Sequence, residues 1–183
     1  AGTLGHGPSG VLLAAPGGSG KSTTVALGAA LGWQTVGDDF IAFSSGKTAA
    51  HCLFRTARLA PTNAQLQDPA LTTMLSSARF DGEKLNLDLG AHPGSLIPEQ
   101  DMVGVVVPCV STGRVTRLAR TSPATALRAL APSSILLGAR RPDALGHLSF
   151  LVRSLPCWTL ELGPDRDQNL AAIVEATQGS PAP

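Results

Sequence analysis

The sequence has little charge and no long basic run. Charged residues make up 15% of the chain, and the formal net charge is only +1. A protein that binds nucleic acid or an anionic membrane mainly through charge needs a concentrated basic surface. We therefore expect nucleic acid not to be among its main partners.

Cysteines are also few, and none has the spacing of a metal site. The chain has three, Cys52, Cys109 and Cys157, with no CxxC pair and no Cys/His cluster. An odd number of isolated cysteines is typical of reduced thiols in a cytoplasmic protein. We expect all three to be buried and unpaired.

Long apolar runs are missing as well. The longest candidate, residues 102–110, is too short to cross a bilayer and contains Pro108. The first ten residues, AGTLGHGPSG, lack a charged segment followed by an apolar one, so we expect no secretory leader there. The predictions are no membrane span and a cytoplasmic location.

Strand-like and helix-like segments alternate, which predicts an α/β fold. A length of 183 residues suits one domain over residues 1–183 with its own core. The strand-rich middle, about residues 40–120, predicts a mixed central sheet with helices on its faces. Residues 1–9 are glycine-rich and are predicted to lead in from an upstream strand or from a missing segment. Strands are predicted at residues 11–14, 34–37, 40–43, 48–54, 85–89, 102–110, 114–118 and 157–162, and helices at 22–31, 63–74, 122–130, 143–155 and 165–177.

The most informative stretch is residues 15–22, APGGSGKS, which has the spacing of a phosphate-binding P-loop, or Walker A motif. Ala15 stands where glycine is commonest. The glycines allow backbone N–H groups to approach phosphate oxygens closely. Lys21 can then reach the β- and γ-phosphates, and the Ser22 hydroxyl can bind Mg²⁺. The predicted nucleotide-binding residues are Pro16, Gly17, Gly18, Ser19, Gly20, Lys21, Ser22 and Thr23.

The flanking segments make this match specific. An apolar strand precedes the loop and an alanine-rich helix follows it, as a P-loop requires. The alternative is a flexible turn that contains Gly-Lys-Ser by chance. The strand and the helix favour nucleotide binding, with ATP and Mg²⁺ as the expected cofactors.

Two neighbouring acids, Asp38 and Asp39, follow seventeen and eighteen residues after Lys21. Adjacent side chains of an extended backbone point in opposite directions. One carboxylate can therefore hold Mg²⁺, directly or through water, while the other faces a substrate hydroxyl. The alternative is a pair of solvated turn acids.

Four other residues have open roles. Arg55 or Arg58 could stabilise charge on the transferred phosphoryl group, or either could form surface ion pairs. Lys84 faces the nucleotide or water, and His6 lies in a solvated loop or near the phosphates.

The lack of a second strand that ends in an acid limits which class of P-loop protein the sequence fits. Motor and remodelling ATPases carry a second apolar strand that ends in an acid. Here the apolar strand VGVVVPCV is followed by Ser-Thr-Gly. This favours a compact phosphotransferase whose acids are Asp38 and Asp39.

Residues 10–43, which begin GVLLAAPGGSGKSTT and contain the pair Asp38-Asp39, resemble the catalytic domain of HPr kinase/phosphorylase and of HPr-kinase-like proteins of bacterial peptide-modifying clusters. The resemblance implies a P-loop kinase fold of that type and often a homo-oligomer. It also implies that Asp39 is the catalytic base for a serine hydroxyl and that Lys21 contacts the phosphates. Ser22 would bind Mg²⁺, and Asp38 would support the metal.

Three functions remain open. The first is a kinase that phosphorylates a serine of a protein or a ribosomally made peptide. The second is a kinase of small-molecule hydroxyls, and the third is a nucleotide-binding regulatory or assembly module. The chain has no clear counterpart of the HPr kinase family's downstream acidic metal ligand, which favours the third.

Overall fold

The computed structural model describes residues 1–62, 64–111, 113, 115–138 and 144–179. Within these ranges the helices are α1 (Lys21–Ala30), α2 (Thr72–Ser76), α3 (Pro123–Gly138), α4 (Ala144–Ser154) and α5 (Arg166–Gln178). The strands are β1 (Gly2–His6), β2 (Ser9–Leu13), β3 (Ile41–Phe43), β4 (Ala49–Cys52), β5 (Thr56–Leu59), β6 (Arg79–Phe80), β7 (Leu85–Asp88), β8 (Glu99–Val110), β9 (Arg117–Arg120) and β10 (Cys157–Leu162).

The larger sheet is mixed, which confirms the predicted α/β architecture. Its order is β1-β2-β8-β10-β9, with β4 paired to the start of β8 and β3 paired to β4. Strands β2 and β10 run parallel to β8 on its two sides, whereas β1, β4 and β9 pair antiparallel with their neighbours. The apolar run at residues 102–110 is therefore the central strand that its composition predicted.

Helices cover both faces of this sheet. Val11 and Leu13 of β2 pack in one core with residues of α1 and α5. Leu12 and Ala14, which point to the opposite face, pack in a second core with residues of α3 and α4. This alternation is the side-chain periodicity of a strand that is buried on both faces.

A smaller antiparallel sheet, in the order β5-β7-β6, packs on the α1 side. Its buried residues Ala57, Leu59 and Leu87 belong to the same core as α1. The small sheet therefore lies close to the loop that precedes α1.

Three local predictions are wrong. Residues 2–6 form β1, which pairs with β2. Residues 34–37 make only isolated bridges. The predicted helix at 63–74 breaks into 3₁₀ turns (Ala64–Gln67 and Pro69–Leu71) followed by α2, because Asp68, which precedes a proline, is extended and accepts the Ala70 N–H at 2.9 Å.

Other boundaries differ from the predictions. Helix α3 continues past residue 130 through Pro132, and β9 begins at Arg117 rather than 114. Three predicted starting residues, Asn63, Arg114 and Asp143, lie outside the described ranges.

Only one of the three cysteines is buried as predicted. Cys157 is buried, but Cys52 is half-buried and Cys109 is exposed, although all three are free thiols.

Across the described ranges, no helix has the length and apolar character needed to span a bilayer.

Candidate nucleotide site

The loop between β2 and α1 has a backbone that requires glycine at two positions. Gly18 has φ 82° and Gly20 has φ 87°, both in the left-handed region. A Cβ atom on Gly20 would lie 2.5 Å from Leu162 Cδ1. The Gly-Gly-Ser-Gly pattern therefore specifies both the turn and its close contact with β10.

Helix α1 begins directly after this turn, and its N-terminus opens onto a cavity. No side chain caps it, and its first turn contains no acidic residue. The backbone N–H and the hydroxyl of Thr24 both donate to the Gly20 carbonyl oxygen at 2.9 Å, while residues 20–23 line the cavity. The uncapped N–H groups and the helix dipole favour an anion at this end.

The cavity has a volume of about 770 Å³. All eight predicted nucleotide-binding residues line it, and so does the predicted base Asp39. Its other walls come from Ala1 and Ala15, from residues 58–60 and 62, and from Lys84, Phe40 and Val110. Apart from Arg58 and Lys84, these walls were not predictable from the sequence, because tertiary packing sets them.

Lys21 joins the loop to the acid pair. Its Nζ lies 2.9 Å from Asp38 Oδ1 and 2.5 Å from Asp39 Oδ1. The Lys21 and Asp38 side chains are 7% and 0% exposed, whereas Asp39 is 41% exposed. Asp38 is thus a buried partner of the lysine, and Asp39 is the acid that a substrate in the cavity can reach.

Lys21 and Asp39 each favour the charged form of the other. Burial lowers the pKa of Lys21, but the Asp38 charge and the contact with Asp39 outweigh burial and leave it above its usual value of 10.5. Burial also raises the pKa of Asp39, yet its hydrogen bond to Lys21 and the Lys21 charge bring it below its usual value of 3.8. Lys21 is therefore protonated and Asp39 ionised at neutral pH.

The expected alternation of the two acids is not observed. Asp39 has φ 67°, and the Phe40 N–H donates to the Asp38 carbonyl oxygen at 2.9 Å across a three-residue turn. Because this backbone is not extended, both Oδ1 atoms turn toward the same ammonium group. The predicted division of roles was derived from a strand geometry that Asp39 does not have.

Two buried polar atoms near the loop have no hydrogen-bond partner in the described part of the chain. They are Ser19 Oγ and Asp38 Oδ2. An unsatisfied buried oxygen, above all a charged one, is costly unless a ligand or cation completes it. No group of three or more His, Cys, Asp or Glu residues suited to a metal occurs in the described ranges, so a metal here would take most of its ligands from phosphate and water.

Comparisons with known protein families, curated proteins and solved structures found no match. The similarity of residues 10–43 to HPr kinase/phosphorylase therefore remains an expectation.

The structure separates the four residues whose roles were open. Arg58 and Lys84 line the cavity. Arg55 instead forms an exposed ion pair with Asp88 at 3.1 Å. His6 packs against Trp33 with ring centroids 4.1 Å apart and pairs with Ser9 at the start of β2, the end of that strand opposite the loop. It is not among the residues that line the cavity.

Proposed function

We propose that the protein is an ATP-dependent phosphotransferase that moves the γ-phosphoryl group to a hydroxyl. The proposed acceptor is a serine of a protein or ribosomally made peptide. The observation that carries this proposal is the convergence of Lys21, Asp38 and Asp39 beside the N-terminus of α1. The cavity volume of about 770 Å³ falls in the usual range for small-molecule sites, about 300 to 1,000 Å³.

The loop would bind the polyphosphate chain. Backbone N–H groups of residues 17–22, supported by the α1 dipole, would donate to phosphate oxygens. Lys21 would contact the β- and γ-phosphates from its position against the acids. Ser19 Oγ, which is buried without a partner in the described chain, is a further donor for this anion.

Ser22 would bind the Mg²⁺ that phosphoryl transfer requires, and Asp38 would support the ion. Ser22 lines the cavity, whereas Asp38 is not among the lining residues and its side chain is fully buried; its Oδ2 has no partner in the described ranges. Hydroxyl and carboxylate oxygens are ligands that Mg²⁺ accepts, together with water and phosphate. When bound, the ion would neutralise charge on the β- and γ-phosphates.

Asp39 would act on the acceptor. The hydroxyl oxygen forms a bond to the γ-phosphorus as the bond to the β–γ bridging oxygen breaks, and ADP leaves. The hydroxyl proton passes to the Asp39 carboxylate. Because the transition state is loose, a carboxylate with a low pKa suffices when it is well placed.

The same proposal includes a specific type of α/β fold. The loop, the helix and the acid pair at residues 10–43, set in a mixed sheet, support a P-loop kinase of HPr kinase type. Assembly into a homo-oligomer and a cytoplasmic location are expected on the same grounds.

The deciding experiment is incubation with Mg²⁺ and ATP labelled in its γ-phosphate. Three sets are compared: serine-containing peptides, small hydroxyl metabolites, and no acceptor. Label on a peptide serine supports the proposal, and label only on a metabolite identifies a small-molecule kinase. Nucleotide binding without transfer in any set would identify a regulatory module and refute the proposal.

A further inference from the structure

The side chains at the loop leave a deficit of positive charge. Lys21 carries one positive charge and faces two carboxylates at 2.9 and 2.5 Å. The three side chains together are therefore net negative. A nucleoside triphosphate is strongly anionic, so Lys21 alone does not balance the charge of its terminal phosphate, and further side-chain cations would come from another wall of the cavity.

That wall is the small sheet. Arg58 belongs to β5, and Lys84 lies just before β7, in the turn that follows β6. Both line the same cavity as residues 16–23. The charge of Lys84 helps to lower the pKa of Asp39, while Asp39 contributes to a raised pKa of Arg58 that is due mainly to Asp81. The two cations are therefore close enough to Asp39 to interact with its charge.

We infer that Arg58 and Lys84 bind the γ-phosphate of a nucleoside triphosphate and make the site selective for triphosphate over diphosphate. This inference rests on the proposed function. The loop N–H groups serve the phosphates nearer the nucleoside, whereas the two cations lie on the side of Asp39, where the γ-phosphoryl group would meet the acceptor hydroxyl.

One carboxylate contacts the Arg58 guanidinium and the backbone of the turn that carries Lys84. Asp81 Oδ1 accepts the backbone N–H groups of Glu83 at 3.0 Å and Lys84 at 2.8 Å, and Asp81 Oδ2 accepts Arg58 Nη2 at 2.7 Å. Glu83 Oε2 lies 3.8 Å from the same Arg58 nitrogen. A guanidinium has five N–H donors, and among the described residues these acids approach it at one nitrogen, which leaves the others for phosphate oxygens. Asp81 is therefore a positioning residue for the Arg58 guanidinium and for the backbone of the turn at Lys84.

The test compares the affinities of the intact protein for Mg²⁺ with a non-hydrolysable ATP analogue and for Mg²⁺ with ADP, by calorimetry. Arg58→Met and Lys84→Met should each weaken analogue binding roughly tenfold or more, the loss expected for one hydrogen bond to a charged group. Affinity for ADP should stay within about threefold, because ADP lacks the contacted phosphate. Retained ADP binding also shows that the variants are folded.

Arg55→Met is the matched control, because Arg55 is also paired to an acid but does not line the cavity. It should change neither affinity. Asp81→Asn should lower the affinity for the analogue and spare that for ADP, a selectivity that a general loss of folded structure would not produce.

The outcomes separate this inference from the proposed function. Equal losses for both nucleotides, or no loss for either, would overturn the inference. A protein that shows the predicted selectivity but transfers phosphate to no acceptor would support the inference and refute the transferase. Failure of the unmutated protein to bind either nucleotide would overturn both.

Discussion

Asp39 reaches Lys21 through a backbone conformation that glycine adopts more readily than any other residue. Its Oδ1 lies 2.5 Å from Lys21 Nζ while its φ is 67°, the only positive φ among the described non-glycine residues. The turn brings two sequence neighbours onto one ammonium group. Strained backbone of this kind is costly and is found mainly where surrounding structure enforces it, often at functional sites.

The backbone cost at Asp39 can be isolated with two substitutions that both remove the carboxylate. Asp39→Gly should be more stable than Asp39→Val, because a β-branched residue pays about 1–2 kcal/mol in the left-handed region. Free energies of unfolding from urea titration measure the difference. Equal stability of the two variants would show that position 39 is not held at positive φ.

Lys21→Met should destabilise the protein as well as abolish nucleotide binding. The substitution leaves Asp38, which is 1% exposed, as an unpaired buried acid, and breaking such a pair costs about 3–5 kcal/mol. The double variant Lys21→Met/Asp38→Asn should recover part of that loss, since it removes the uncompensated charge. Strict additivity of the two single effects would contradict a direct buried pair.

Gly20→Ala should disturb the loop more than Gly17→Ala does. Gly20 has φ 87° and its Cβ would meet Leu162, whereas a Cβ on Gly17 has no neighbour within 4 Å. We expect a loss of unfolding free energy of about 1–2 kcal/mol or more for Gly20→Ala, and a change within about 0.5 kcal/mol for Gly17→Ala. Thermal denaturation of the two variants measures this, and equal effects would contradict the loop geometry.

The pKa shifts predict how stability depends on pH. The pKa of Asp39 is lowered below 3.8, so its stabilising effect is complete above that value and is lost as pH falls through the folded-state pKa. The pKa of Lys21 is raised above 10.5, so its effect is complete below 10.5 and is lost as pH rises further.

The measurement is the urea midpoint of the protein against that of Asp39→Asn across pH. The difference between the two midpoints should be constant from about pH 5 to 9. It should shrink as pH falls through the folded-state pKa of Asp39. A difference that varied within the neutral range would assign the dominant titration to another group.

The elements with strong local signals were predictable from the sequence. The loop glycines, Lys21 and the helix after them follow a pattern whose physical basis is local, and the apolar β-branched run of β8 indicates a strand buried on both faces. The closing helix α5 begins at a capped position, where Asp165 accepts the Asp167 and Gln168 N–H groups.

Features set by tertiary contacts were not predictable. Strand β1 is rich in glycine and has a weak intrinsic strand preference; its pairing with β2 decides its structure, and a Cβ on Gly5 would lie 2.2 Å from the Ser9 carbonyl oxygen. The positive φ of Asp39 has no composition signal, since aspartate is only modestly favoured there. The choice of Arg58 over Arg55 depends on how the small sheet packs, which local sequence does not encode.

We propose that Asp39 takes the proton of an acceptor hydroxyl while Lys21 and the loop hold the triphosphate. The most direct measurement is the single-turnover rate of γ-phosphoryl transfer at saturating Mg²⁺ and ATP, compared between the unmutated protein and Asp39→Asn, with nucleotide affinity measured alongside. We expect Asp39→Asn to retain ATP binding and to have a rate lower by about 10² to 10⁴, the usual contribution of a general base. An unchanged rate in Asp39→Asn, with ATP bound, would contradict it.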